Sequence, residues 1–219
     1  MRWNRIETAH FTLFYDEYDR AQAESWSRRA EEDIARVTRD LNLPAPEGKF
    51  DFYLCPDVPS FMDCAGKTAE TYEPWMVGNA DYEKRRLCVL SPRAVTDRPP
   101  EAMDQVVTHE IVHIAMDALR PGDECPPWLG EGIATLYAGQ VYAESAEACP
   151  AVAELEEDFP GKGGYAYAGA YVWYLMERHG MERFKRVYAG TEEVAPLVYP
   201  GFERDAVTAW QAARRNPAG

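Results

Sequence analysis

The run His109-Glu110-Ile111-Val112-His113 constrains this chain more than any other stretch. It lies inside residues 101–119, whose spacing of apolar positions predicts one helix. An α-helix advances ~1.5 Å and turns ~100° per residue, so side chains four apart share one face, about 6 Å from each other along it. Both imidazoles therefore project from the same side and can reach one tetrahedral Zn²⁺. Glu110 follows the first histidine, where its carboxylate can face a metal-bound water and serve as general base. Val106, His109, Glu110, His113 and Asp117 make one face of this helix. Met103, Val107, Ile111, Ile114 and Ala118 make an apolar one, which predicts a helix buried between two lobes.

A catalytic zinc needs three protein ligands and one open position. After the histidines comes a break, Arg120-Pro121-Gly122-Asp123, with the cation, proline and glycine of a helix end. A second helix is predicted to begin near Pro127, which suits a first turn. On it Glu131 stands 18 positions after His113 (131 − 113), between two glycines in an otherwise apolar run. A carboxylate among Leu129, Ile133 and Ala134 is costly to bury unless a cation pairs with it, and zinc on two neutral imidazoles is such a cation. The plain alternatives are two satisfied polar residues on α-helical positions 109 and 113, and a surface acid at 131. Cys125 lies close enough in sequence to be a rival ligand, although Glu131 has the better setting.

His-Glu-Ile-Val-His followed by Trp-Leu-Gly-Glu-Gly-Ile-Ala resembles the glutamate-zincin class of metallopeptidases, which includes thermolysin and the zinc aminopeptidases. The likeness is closest to a small bacterial branch with a Pro-x-Trp-Leu-x-Glu-Gly-Ile-Ala helix. The resemblance implies a zincin-like α+β fold, Zn²⁺ as cofactor, Glu131 as third ligand beside His109 and His113, and a peptide or protein substrate. The metzincin pattern needs Gly and His three and six residues past the second histidine; Met116 and Leu119 stand there. Residues 165–180 resemble the next helix of the zinc aminopeptidases, in which an initial tyrosine donates to the developing oxyanion and a glycine closes the helix 15 residues later. Counting back from Gly180 gives Tyr165, with Tyr167 as the alternative if the register slips. Tyr165, Tyr167, Tyr171 and Tyr174 could equally pack one helix face. The sequence departs from the family twice. Thr135 stands where a thermolysin-type helix carries a histidine-orienting aspartate. The Gly-x-Met-x-Asn segment that binds a substrate N-terminus in exopeptidases has no counterpart upstream.

Composition narrows the rest. A chain of 219 residues, 46% hydrophobic, can bury one sizeable core as one domain, with room for two lobes. The net charge of −14, with no block of Lys or Arg, argues against nucleic acid and anionic membranes. No run approaches the ~20 apolar residues of a membrane span. No apolar signal region opens the sequence, so the expected location is the cytoplasm unless a leader has been removed. Five scattered cysteines with no Cys-x-x-Cys pair fit a reducing compartment.

Residues 10–16 and 49–55 read as strands, separated by a helix with Ala23, Trp26, Ala30, Ile34, Val37 and Leu41 at helical spacing and Asp19 as its cap. Residues 56–66 read as a loop with short helical possibilities. Residues 75–80 and 85–91 bracket Asp81-Tyr82-Glu83-Lys84 as an antiparallel hairpin. In the resembled class an edge strand pairs with extended substrate, which assigns Gly78, Asn79 and Ala80 to substrate binding; the alternative is an ordinary edge strand. The loop 160–164 lacks the Gly-Lys-Ser/Thr ending of a phosphate cradle. His179 is read as a helix-end cation, and 181–188 and 203–214 as closing helices. The expectation is a single zincin-like peptidase domain with a sheet-bearing lobe (1–95), a helical lobe (96–219) and a cleft between them. A zincin-like zinc-binding scaffold without catalysis is the alternative; the intact Glu110 argues against it.

Overall fold

The structure is a computed structural model that describes residues 2–121 and 125–215. It is an α+β fold with eight α-helices and one five-stranded mixed sheet among the described residues. The chain forms two compact units, Met1–Gly122 and Asp123–Gly219. The helix that carries both histidines thus belongs with the sheet, although the sequence placed a lobe boundary near residue 95. Gly122 and Asp123 of the expected helix break lie outside the described residues. No helix among the described residues is long and apolar enough to cross a membrane.

In the first unit the strands are β1 (Asn4–Glu7), β2 (Phe11–Tyr15), β3 (Phe50–Cys55), β4 (Gly78–Asp81) and β5 (Arg86–Leu90), in sheet order β1-β2-β3-β5-β4. The outer pairs β1–β2 and β4–β5 are antiparallel; β2–β3 and β3–β5 are parallel. Parallel neighbours need a crossover, and α1 (Arg20–Asp40) supplies the one between β2 and β3. Alternation decides which side chains α1 covers. Phe11, Leu13 and Tyr15, with Phe50, Phe52 and Leu54, are buried on one face. Trp26, Ala30, Ile34 and Val37 of α1 are buried as well, and the Trp26 ring stacks 6.1 Å from Phe52. The expected stripe on α1 is therefore its core face. Asp19 stands at the N-cap position but makes no capping bond. Its carboxylate is buried and accepts from Ser91 Oγ at 2.7 Å and Arg93 Nε at 2.9 Å. Asp16 instead receives the Tyr18 N–H that opens the short turn before α1.

The loop expected at 56–66 contains α2 (Val58–Ala65), started by an Asp57–Ser60 capping box and ended by Gly66 in the left-handed region. The hairpin β4–β5 forms as expected, with Asp81 accepting from Lys84 N–H at its turn. Then comes α3 (Pro100–Met116), with proline at its first position. It packs against α1 and β4, and eleven of its residues are buried.

The second unit is helical: α4 (Pro127–Ala138), α5 (Val152–Glu157), α6 (Gly164–His179), α7 (Met181–Tyr188) and α8 (Phe202–Arg215). Glycines set the α4–α6 seam. A Cβ on Gly132 would lie 2.7 Å from the Ala168 carbonyl oxygen and 2.6 Å from Val172 Cγ2. Aromatic edges join α6 to α8, with Trp173–Trp210 centroids 5.4 Å apart and Tyr171–Phe202 6.0 Å apart.

Candidate metal centre

His109 and His113 lie on α3 four residues apart, and their Nε2 atoms approach to 3.1 Å with ring planes inclined by 69°. Two ring nitrogens come this close only if one carries a proton for the other or a cation lies between them. Zinc–nitrogen bonds of ~2.05 Å at the tetrahedral angle separate two nitrogens by roughly 3.3 Å. The imidazole pair fits such an ion closely. His109 is buried and His113 half-buried.

The roll of α3 about its axis is fixed from α1. Thr108 Oγ1, one residue before His109, donates to Asp33 Oδ2 at 2.6 Å within the core. Asp33 also accepts from Arg36 at 2.8 Å. One turn earlier, Asp104 accepts from Trp26 Nε1 at 2.7 Å and Arg29 at 3.2 Å. Sequence reasoning passed over Asp33 and Asp104. The available signal was Asp33 itself, an acid beside Ala30, Ile34 and Val37 on the buried stripe of α1.

Glu110 is buried, and its carboxylate rests against Gly78 of β4. A Cβ at 78 would press into Glu110 Oε1 and lie 2.7 Å from Val106 Cγ1. The close approach that a glycine was expected to permit here includes that of α3 itself. The strand β4 is the last of the sheet. Leu90 N–H bonds the Val77 carbonyl, and Gly78 lies opposite Val89, so 77/90 and 79/88 are the hydrogen-bonded pairs. Gly78 and Ala80 therefore turn their N–H and C=O away from β5, toward the sheet edge, while Asn79 spends its own on β5.

In the second unit, Glu131 is half-buried on α4, with Leu129, Gly130, Gly132, Ile133 and Ala134 buried around it in sequence. Thr135 is buried and donates to the Gly132 carbonyl at 3.0 Å, so its hydroxyl is engaged inside its own helix. Tyr165 occupies the first turn of α6, half-buried, with its ring edge-on to Phe159 at 4.9 Å. Gly180 ends α6 at φ 80°, 15 residues after Tyr165. Tyr167, the alternative, is half-buried on the same helix, and Tyr171 is buried with its hydroxyl given to the Pro150 carbonyl. The loop before α6 is an internally bonded turn. Asp158 accepts from Gly161 N–H at 3.0 Å and its carbonyl from Lys162 N–H. Cys125 is half-buried.

His179 stands in the last turn of α6, at the helix end where the sequence placed it. Burial, then the charges of Arg183 and Arg178, push its pKa below the ordinary imidazole value.

In comparisons with known proteins, no family model matches the chain, and no curated protein matches it.

Proposed function

We propose that this chain is a zinc-dependent, zincin-like peptidase that hydrolyses peptide bonds in an extended substrate. The observation that carries the reading is the imidazole pair on α3, with Nε2 atoms 3.1 Å apart beside a buried Glu110. The donor chemistry is that of a zinc site, two neutral imidazoles and a carboxylate. In this reading Glu131 of α4 is the third ligand beside His109 and His113, each residue offering one ligand atom. A divalent zinc held there supplies Lewis acidity and makes water easier to deprotonate.

The chain's own residues then divide the work. Glu110 takes a proton from the attacking water and delivers it to the leaving amine. Its burial and its seat against Gly78 hold the carboxylate in one place, which favours proton transfer over a wandering base. The edge-facing N–H and C=O of Gly78 and Ala80 give an extended peptide two backbone anchors, one strand period apart. In this reading Tyr165 donates its hydroxyl to the oxygen that gains charge in the transition state.

The test is Glu110→Gln beside wild type, with zinc content measured and a broad peptide library digested with and without chelator. Expected are unchanged zinc, hydrolysis lower by roughly 10²–10⁴-fold, and chelator-sensitive wild-type cleavage. Equal hydrolysis by the variant removes Glu110 as the base. A zinc-bound wild type that cleaves nothing points to a binding module in place of an enzyme.

A further inference from the structure

The face of the sheet opposite α1 carries a cavity whose lining does not include the histidine pair. Register places Arg5, Phe14 and Tyr53 side by side across β1, β2 and β3 on this face. Helix α2 packs over β3 and β5 and walls the area with Asp63 and Cys64. A cavity of about 660 Å³ remains between them, and Trp3 and Arg86 complete its lining.

Three observations give this cavity a chemistry. Its floor is aromatic: Phe14 and Tyr53 stack at 4.8 Å with planes 15° apart, and Trp3 meets Tyr53 edge-on at 5.5 Å. Its lining is basic, with Arg2, Arg5 and Arg86 against the single acid Asp63, in a chain whose net charge is −14. Finally, Arg86 is held but not satisfied. Its guanidinium lies 5.2 Å from the Tyr53 ring centroid, and Nη1 donates to the Cys64 carbonyl at 2.8 Å. Its Nε–H is buried and has no acceptor. A buried donor of a charged group without a partner is rare, because it forfeits solvation for nothing in return.

We propose that this cavity binds a small anion attached to a flat ring, an aromatic carboxylate or aryl phosphate, with Arg86 as its anchor. The ring lies on Phe14 beside Trp3, where π-faces stack without demanding a particular substituent. The anionic oxygens meet the side of the Arg86 guanidinium not bonded to Cys64 and the exposed guanidinium of Arg5, which also stands 3.9 Å from Glu7; charge-assisted bonds of this kind are how arginine recognises carboxylate and phosphate.

Calorimetric titration of the full chain tests this with benzoate, phenyl phosphate, neutral benzamide and inorganic phosphate. Benzoate or phenyl phosphate is expected to bind, and the stronger of the two identifies the anionic group. Arg86→Gln should weaken that binding roughly tenfold, and Arg5→Gln, at an exposed position, should weaken it by a smaller factor and reduce its salt dependence. Circular dichroism establishes that each variant is folded; should Arg86→Gln unfold, Arg5→Gln and Phe14→Leu carry the test. The proposal is overturned if neither aromatic anion binds at millimolar concentration, if benzamide binds equally, if inorganic phosphate matches phenyl phosphate, or if the folded variants bind like wild type.

Discussion

Helices α3 and α4 each carry proposed ligands, yet the protein secures them by opposite means. In the first unit α3 is held by directed polar bonds: Thr108 to Asp33, and Trp26 and Arg29 to Asp104. In the second unit α4 is held by the absence of side chains, since Gly132 lets the backbone of α6 approach where no Cβ fits. Polar bonds fix rotation about a helix axis, because a hydrogen bond fails within a few tenths of an ångström and a modest angle. Close backbone contact fixes separation, because repulsion rises steeply once atoms touch. A histidine pair must aim two rings at one point, which is a demand on rotation. A single carboxylate with several rotamers tolerates rotation better than displacement. The two solutions match the two needs.

The largest test of this contrast is Gly132→Ala. Alanine favours a helix by about 1 kcal/mol over glycine, but its Cβ would meet a backbone oxygen that no rotamer change can move. A net loss of about 3 kcal/mol is expected, visible in thermal denaturation as roughly 2–4 °C per kcal/mol for a chain of this size. A neutral outcome would mean that the seam yields, and that separation is not what the glycine sets. Next is Thr108→Val, which keeps the shape and removes the donor to a buried carboxylate. About 2 kcal/mol should be lost, with zinc affinity reduced because the roll of α3 is freed. Stability lost with zinc affinity intact would break the claim that this bond aims the histidines. Gly78→Ala sharpens the same point with a smaller cost, about 1 kcal/mol, since both groups it meets are side-chain ends. Peptidase turnover should fall while zinc remains, because the crowded atom is Glu110 Oε1.

What was legible in the sequence divides along similar lines. Periodicity exposed the core stripe of α1 and the histidine face of α3, because each is written in residues a few positions apart. The hairpin β4–β5 was legible for the same reason. Pairings over long sequence distances were not. The polar partners of Asp19 lie 72 and 74 residues away, so an acid before a helix read as a cap when it is a tie to Ser91 and Arg93. Asp33 and Thr108 are 75 apart. Strand β1, with the alternation of Asn4, Arg5, Ile6 and Glu7, gave no apolar signal of its own and owes its conformation to β2. The Arg86 cavity depends on register across several strands and on α2, which no local pattern encodes.

The smallest effect separates the two modes of fixing by pH. Besides its tie to α3, helix α1 is bonded to the start of β2 through Glu31, which accepts from the His10 N–H at 2.8 Å and meets its ring Nδ1 at 2.7 Å. Partial burial raises the Glu31 pKa, but the bonds from Thr8 and His10 outweigh it and hold the carboxyl below its ordinary value. A carboxyl depressed by folding adds stability above its unfolded pKa, and that contribution disappears as pH falls through the lower folded value. Glu31→Gln should therefore cost under about 1 kcal/mol at pH 7, the group being only half-buried and screened. The gap between variant and wild type should close as the solution is acidified below pH ~4, near the unfolded carboxyl value. Gly132→Ala removes no titrating group, so its deficit should persist across the same range wherever the protein stays folded. A Glu31→Gln deficit that does not shrink in acid would show that packing, and not the ionised carboxylate, ties α1 to β2.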